Sequence, residues 1–149
     1  MCRPWDADDF LKAINCELIT KTKSIAKLLD YSPFVAELFA NNRLRCTEAV
    51  QIAQHVRDFS YAPQRFASEA KTLCRLVICF DAAMATISQV ADIRGPTSQE
   101  GAACLVTLEF LSEEVMLQLG MLADAAMQTF NLVRECDSLS VVWLRLAQL

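Results

Sequence analysis

Apolar residues recur along this chain at helical spacings, and no segment alternates apolar and polar positions as a half-buried strand would. In the first stretch Phe10, Leu11, Ile14, Leu18, Ile25, Leu28 and Leu29 fall on one face, which predicts an amphipathic helix capped by Asp8 or Asp9 and running to about Asp30. Ser32-Pro33 reads as an N-cap followed by proline at the first helical position, opening a short helix through Phe34, Val35, Leu38 and Phe39, with Asn41-Asn42 as its stop. Thr47 is placed to cap another helix, with Val50, Ile52, Ala53 and Val56 inward, until Phe59 to Pro63 breaks the period.

From Pro63 to about Ile93 the series Phe66, Ala70, Leu73, Leu76, Val77, Phe80, Met84, Ile87, Val90 meets no breaker. It predicts one helix roughly 45 Å long at about 1.5 Å per residue. Gly95-Pro96 is the strongest punctuation, and Thr97-Ser98-Gln99-Glu100 supplies a Thr-x-x-Glu capping box. A last long helix then carries Leu105, Leu108, Leu111, Val115, Leu119, Leu122, Ala126, Phe130 and Val133 inward to about Arg134. After Cys136-Asp137-Ser138, the apolar segment Leu139 to Leu149, with Val141, Val142, Trp143, Leu144 and Leu146, is expected to dock on this chain or a partner. The expected fold class is all-α: one domain over residues 1–149, a helical bundle of four main helices plus two short ones, with 1–7 as a tail and 138–149 as a docking segment.

Composition adds a surplus of apolar residues. At 54% of 149 residues it exceeds what a domain of this size can hide, so an apolar surface covered by a second chain is expected, either a protein partner or a homo-oligomer. A membrane is the other use of such residues. Here the richest runs are interrupted by Arg75 and Asp81 and by Gln118 and Asp124, and the acidic N-terminal stretch does not read as a signal peptide. Seven cysteines scattered without a Cys-x-x-Cys pair read as small buried hydrophobes in a reducing compartment, so the expected location is intracellular, cytoplasmic or nuclear.

Charge divides the chain. Residues 1–75 hold eleven basic side chains against nine acids, whereas 76–149 hold three against nine, for a net charge of -4. An acidic chain is repelled by phosphate backbones, so no direct nucleic-acid binding is expected. Lys21, Lys23, Lys27, Arg43 and Arg45 form at most a local basic patch, read first as a solvated face.

Motifs for chemistry are missing. The sole histidine, His55, reads as a surface residue, and no glycine-rich phosphate loop, His-Glu-x-x-His or Glu-x-x-His occurs. No catalytic residue, metal site or cofactor is therefore assigned. Glu109, Glu113 and Glu114 read as a solvated face, while Asp81 and Asp124 interrupt apolar helices and are expected to be half-buried, with Arg75 as a partner. Methionine is adaptable at binding surfaces, so Met84, Met116, Met121 and Met127, together with Trp143, Leu144 and Leu146, are the candidate partner-binding residues, the methionines lining a groove between the two long helices.

Three stretches bear a resemblance. Leu38-Phe39-Ala40-Asn41-Asn42-Arg43 followed by Cys46 to Ala53, then Leu73 to Ala83, then Ala102 to Leu111, resemble in order and spacing the C-terminal domain of aflatoxin-regulator-type fungal transcription factors. That family's zinc binuclear cluster has no counterpart in these residues, and Asp58-Phe59-Ser60-Tyr61 stands where its Cys-x-Cys commonly follows. The resemblance implies a regulatory domain acting through a protein partner in transcriptional control of a fungal secondary-metabolite pathway. Leu108 to Val115, with Gly120 after it, also resembles the middle helix of a histone fold, which would imply an assembly subunit. The non-enzymatic interaction module is the favoured expectation. Its rival is a small-ligand carrier or enzyme using the bundle interior, with Asp81, Glu109 or Asp124 as the buried polar group.

Overall fold

The computed structural model describes residues 8–45, 59 and 66–146, with side chains described for all of these except 66–68 and 137–146. These residues form α1 (Asp9–Asn15), a π-helical turn (Cys16–Thr20), α2 (Ile25–Tyr31), α3 (Pro33–Arg45), α4 (Phe66–Ile78), α5 (Phe80–Arg94), α6 (Gln99–Phe110) and α7 (Glu113–Leu146). No strand occurs among them, so the chain is all-α, as the periodicity implies. The expected count of four main and two short helices is not what is found; seven α-helices and one π turn are described.

Local chemistry sets most of the helix starts. Asp8 Oδ1 accepts from Phe10 N at 2.8 Å and caps α1. Ser24 Oγ accepts from Lys27 N and donates to the Ile19 carbonyl at 2.7 Å, which ends the first helical run at Lys21–Lys23 and starts α2 in a new direction. The predicted continuous helix to Asp30 is thereby corrected. Its apolar face is right at Ile14, Leu18, Ile25, Leu28 and Leu29, which are buried, but not at Phe10, which is exposed, and the Thr-Lys-Thr-Lys stretch is a poor helix former followed by a good cap, Ser24.

Ser32 caps α3 and Pro33 opens it, as expected. Asn41-Asn42 does not stop it. Asn42 is buried in the helix, its Nδ2 donating to Thr86 Oγ1 and to Gln89 Oε1, both at 3.1 Å, and its Oδ1 accepting from Gln89 Nε2. A side chain satisfied by α5 has no need to compete for its own backbone, so α3 continues to Arg45. The helix expected from Thr47, the Pro63 start and His55 lie outside the described residues.

The predicted 45 Å helix is broken. α4 ends at Ile78, Cys79 takes φ -100 and ψ 21, and α5 leaves at 83° to the α4 axis. No glycine or proline marks this corner. It exists because the two halves pack on different neighbours, α4 on α7 and α5 on α3 and α6.

The last long pattern divides as well. α6 ends at Phe110, an inverse γ-turn about Leu111 brings Ser112 N to the Phe110 carbonyl at 3.1 Å, and Ser112 Oγ caps α7 through Val115 N. α7 then runs to Leu146, about 51 Å at 1.5 Å per residue, so the backbone through Ser138 is helical and the 138–149 segment is not set off by a turn. The Thr97 capping box is also corrected. Ser98 is the N-cap, accepting from Gly101 N at 2.9 Å, and Glu100 turns away to accept from Ser32 Oγ at 2.6 Å and to pair with Arg94 at 3.6 Å. With the Arg94 guanidinium 4.3 Å above the Phe34 ring, this triad ties the α2–α3 junction to the α5–α6 turn.

One hydrophobic core joins the elements. Ile14, Leu18, Ile19, Ile25, Leu73, Leu76, Ile87, Val90 and Leu119 are almost wholly buried within it.

Candidate functional site

α7 is buried along one side only. Val115, Leu119, Leu122, Ala123 and Ala126 face α4 and the core. With about 100° between successive residues, the opposite arc collects two apolar rows. Met116, Gly120 and Met127 make one row, and Leu117, Met121 and Leu132 the other, with Asp124, Gln128 and Asn131 between them. Leu117 is 66% exposed, Leu132 61% and Met121 59%, while Met116 and Met127 are exposed to a lesser degree. Five large apolar side chains thus stand in water on one helix face, beside a core that holds twenty-six apolar residues among those described.

Of the sequence-predicted partner residues, Met116, Met121 and Met127 lie on this face. Met84 does not; it is half-buried on α5 and packed against the core. The expected groove between two long helices has no counterpart in the packing, since both patterns are split and α5 packs on α3 and α6 rather than on α7. Trp143, Leu144 and Leu146 fall on the last turns of α7, where the backbone alone is described. Leu117 and Leu132, which the methionine pattern does not mark, lie on this face as well. The signal was present: both fall off the inward face of their helix.

The candidate acids of the rival reading are not buried. Asp81, Glu109 and Asp124 are all exposed, so the expectation that Asp81 and Asp124 are half-buried is corrected. α5 and α7 bury small and aliphatic neighbours of these positions instead. Glu113 and Glu114 are exposed in the first turn of α7, where a carboxylate favours the helix N-terminus.

Cys74, Cys79 and Cys104 are buried, whereas Cys16 and Cys136 are exposed. Burial, with a smaller contribution from the Glu100 charge, pushes the Cys104 thiol up to about 11. Burial, then the nearby Asp124 carboxylate, raises Cys74, whose Sγ lies 3.4 Å from the Ala123 carbonyl at the α4–α7 seam. These thiols stay protonated at neutral pH and pack as apolar groups. Among the described residues no three His, Cys, Asp or Glu side chains gather as metal ligands, and no single helix is long and apolar enough to cross a membrane.

A concavity lies elsewhere, between the end of the π turn and the start of α6, with a volume of about 390 Å³. Lys21 and Lys23 of the sequence-predicted basic patch stand at its rim, while Lys27 lies with its Nζ 5.0 Å from the Tyr31 ring centroid, and Arg45 is exposed at the end of α3. Geometry is what this chain offers for a functional reading: no family model, no curated protein and no solved structure matches it.

Proposed function

We propose that this chain is a non-enzymatic protein-interaction module that docks a protein, a second copy or another chain, on the exposed face of α7. The observation that carries the reading is the pair of apolar rows formed by Met116, Leu117, Met121, Met127 and Leu132. Leaving such side chains in water is unfavourable by about 25 cal/mol for each Å² that a partner would otherwise cover, and two apolar rows along one helix offer a partner such area. Flexible methionines interspersed with leucines suit a surface that adapts to its partner. Within this reading, the resemblance of Leu38 to Arg43, Leu73 to Ala83 and Ala102 to Leu111 to the regulatory domain of aflatoxin-regulator-type factors favours a role in transcriptional control, through a protein rather than through DNA. The sequence pI of about 5.0 supports that division of labour.

The test compares the intact chain with a Leu117→Glu, Met121→Glu, Leu132→Glu variant. Light scattering gives the mass of each in solution, and affinity capture from native extract identifies bound proteins. The reading expects the intact chain to self-associate or to retain a protein that the variant loses, with the same far-UV circular dichroism in both, because these positions are exposed and outside the core. A zinc-cluster factor or other nuclear regulator among the retained proteins would support the transcriptional role. A monomer whose captured proteins do not depend on the three positions would overturn the reading.

A further inference from the structure

Beyond the α7 face, we propose that the cleft between the π turn and α6 binds a small amphipathic monocarboxylate. Its volume of about 390 Å³ lies within the range of small-molecule sites, which combine an apolar body with a few convergent polar groups. The floor is a strip of small apolar surface, Ala102 and Ala103 with Val106 beyond them and Pro96 opposite. Two alanines in succession are what leave the space open. Val106 is 48% exposed, although it sits mid-helix beside the buried Thr107, so the cleft holds apolar surface that an occupant would cover. The Thr107 hydroxyl donates to the Ala103 carbonyl at 3.0 Å and leaves no polar demand in the floor.

The rim decides the charge of the ligand. At the end of the π turn the i to i+5 bond from Lys21 N to the Cys16 carbonyl, 2.9 Å long, widens the backbone and sets Lys21 Nζ on Glu17 Oε2 at 2.7 Å. That pair is neutral as a unit. Lys23 makes no ion pair among the described residues, so the cleft carries one uncompensated cation. Glu100, next to the lining residue Gln99, is turned away to Ser32 and Arg94. Thr97 and Gln99 add polar side chains to the lining, whereas the Ser98 hydroxyl is taken up by the cap on Gly101 N and the Gly95 carbonyl. One positive charge above an apolar strip matches a monoanion with an apolar tail rather than a phosphate or a dianion, which would leave charge unpaired.

None of the lining residues belongs to α7, so the site and the docking face succeed or fail separately. Sodium octanoate is the probe, titrated into the full isotope-labelled chain and followed by amide and methyl NMR, with octanol as the neutral analogue of equal chain length. Saturable shifts centred on Lys23, Ser98, Gln99, Ala103 and Val106 are expected, with octanol bound about tenfold more weakly. Lys23→Gln should weaken octanoate about tenfold and leave octanol unchanged, whereas Ala103→Leu, which fills the floor, should remove both. Lys23 is exposed, so its replacement leaves the fold intact. Absence of saturable shifts in this cleft at millimolar octanoate would overturn the proposal, as would equal binding of octanoate by the intact chain and the Lys23→Gln variant.

Discussion

Replacing Gly101 by alanine should destabilise the protein, although helix propensity alone says the opposite. Gly101 lies in the first turn of α6, and Gly→Ala within a helix is worth about 0.5–1 kcal/mol in favour of alanine. A methyl at Gly101 would, however, collide with the Gly95 carbonyl oxygen and come within 2.9 Å of the Gly95 carbonyl carbon and of Ser98 Oγ. Two of those atoms are backbone and cannot rotate aside. Gly95 itself has φ 67, a left-handed conformation that closes the α5–α6 turn, so the turn must open to admit the methyl. Opening it strains the Ser98 cap on Gly101 N and the Ser32–Glu100–Arg94 triad. Overpacking of this kind costs about 1–3 kcal/mol, which exceeds the propensity gain and leaves a net loss of about 1–2 kcal/mol.

Gly120→Ala is the internal control. Nothing lies within 4 Å of the added carbon there, so the same substitution should stabilise by about 0.5–1 kcal/mol. Urea denaturation followed by far-UV circular dichroism, at one fixed protein concentration, reads both. At about 2–4 °C per kcal/mol for a domain of this size, Gly101→Ala should lower the melting temperature by about 2–8 °C and Gly120→Ala raise it by about 1–4 °C. A Gly101→Ala variant as stable as the parent, with an unchanged denaturant slope, would refute the close approach of the two glycines.

Three further outcomes follow from the packing. Asn42→Leu should cost about 1–3 kcal/mol by stranding the Gln89 amide and removing the Thr86 contact, and adding Gln89→Met should recover part of it; strict additivity in chemical denaturation would argue against the pairing. Leu73→Ala should cost about 2–5 kcal/mol, against about 0.5 kcal/mol or less for Leu132→Ala; similar losses in the two would contradict the burial of one and exposure of the other. A thiol reagent should modify Cys16 and Cys136 well before Cys74, Cys79 and Cys104, and since the folded state keeps Cys104 protonated up to about 11 while the unfolded thiol ionises near 9.0, stability should fall as pH rises between those values; mass-mapped labelling and pH-dependent denaturation check the two statements.

How much could be read in advance differs from element to element. Most inward positions were legible, from Ile14 in α1 and Leu18 in the π turn to Val115 and Leu119 in α7, because 3.6-residue periodicity is written in the order of side chains; Phe10, read on the same face, is exposed. The caps at Asp8 and Ser32 were legible for the same reason, being local. The Ser112 cap was legible in principle, a serine followed by two glutamates, but an unbroken apolar period through Leu111 and Val115 outweighed it. The exposed apolar face of α7 was half legible. Met116, Met121 and Met127 were named, while Leu117 and Leu132 required knowing which side of α7 meets α4. The cleft was not legible at all, because its walls come from Lys21 and Lys23 on one side and Ala102 to Val106 on the other, and no local pattern joins them.

The sequence by itself determined that this chain is helical and which face of most segments is apolar. Tertiary structure decided where helices end when no breaker is present. The corner at Cys79 and the passage of α3 through Asn41-Asn42 are both settled by partners distant in the chain, α7 against α3 and α6 in the first case, Thr86 and Gln89 in the second. A helix continues through a poor residue if its polar atoms are satisfied elsewhere, and it breaks within a good run if two directions bury more than one. Those balances are made of contacts between remote residues, and remote contacts are what a linear pattern does not contain.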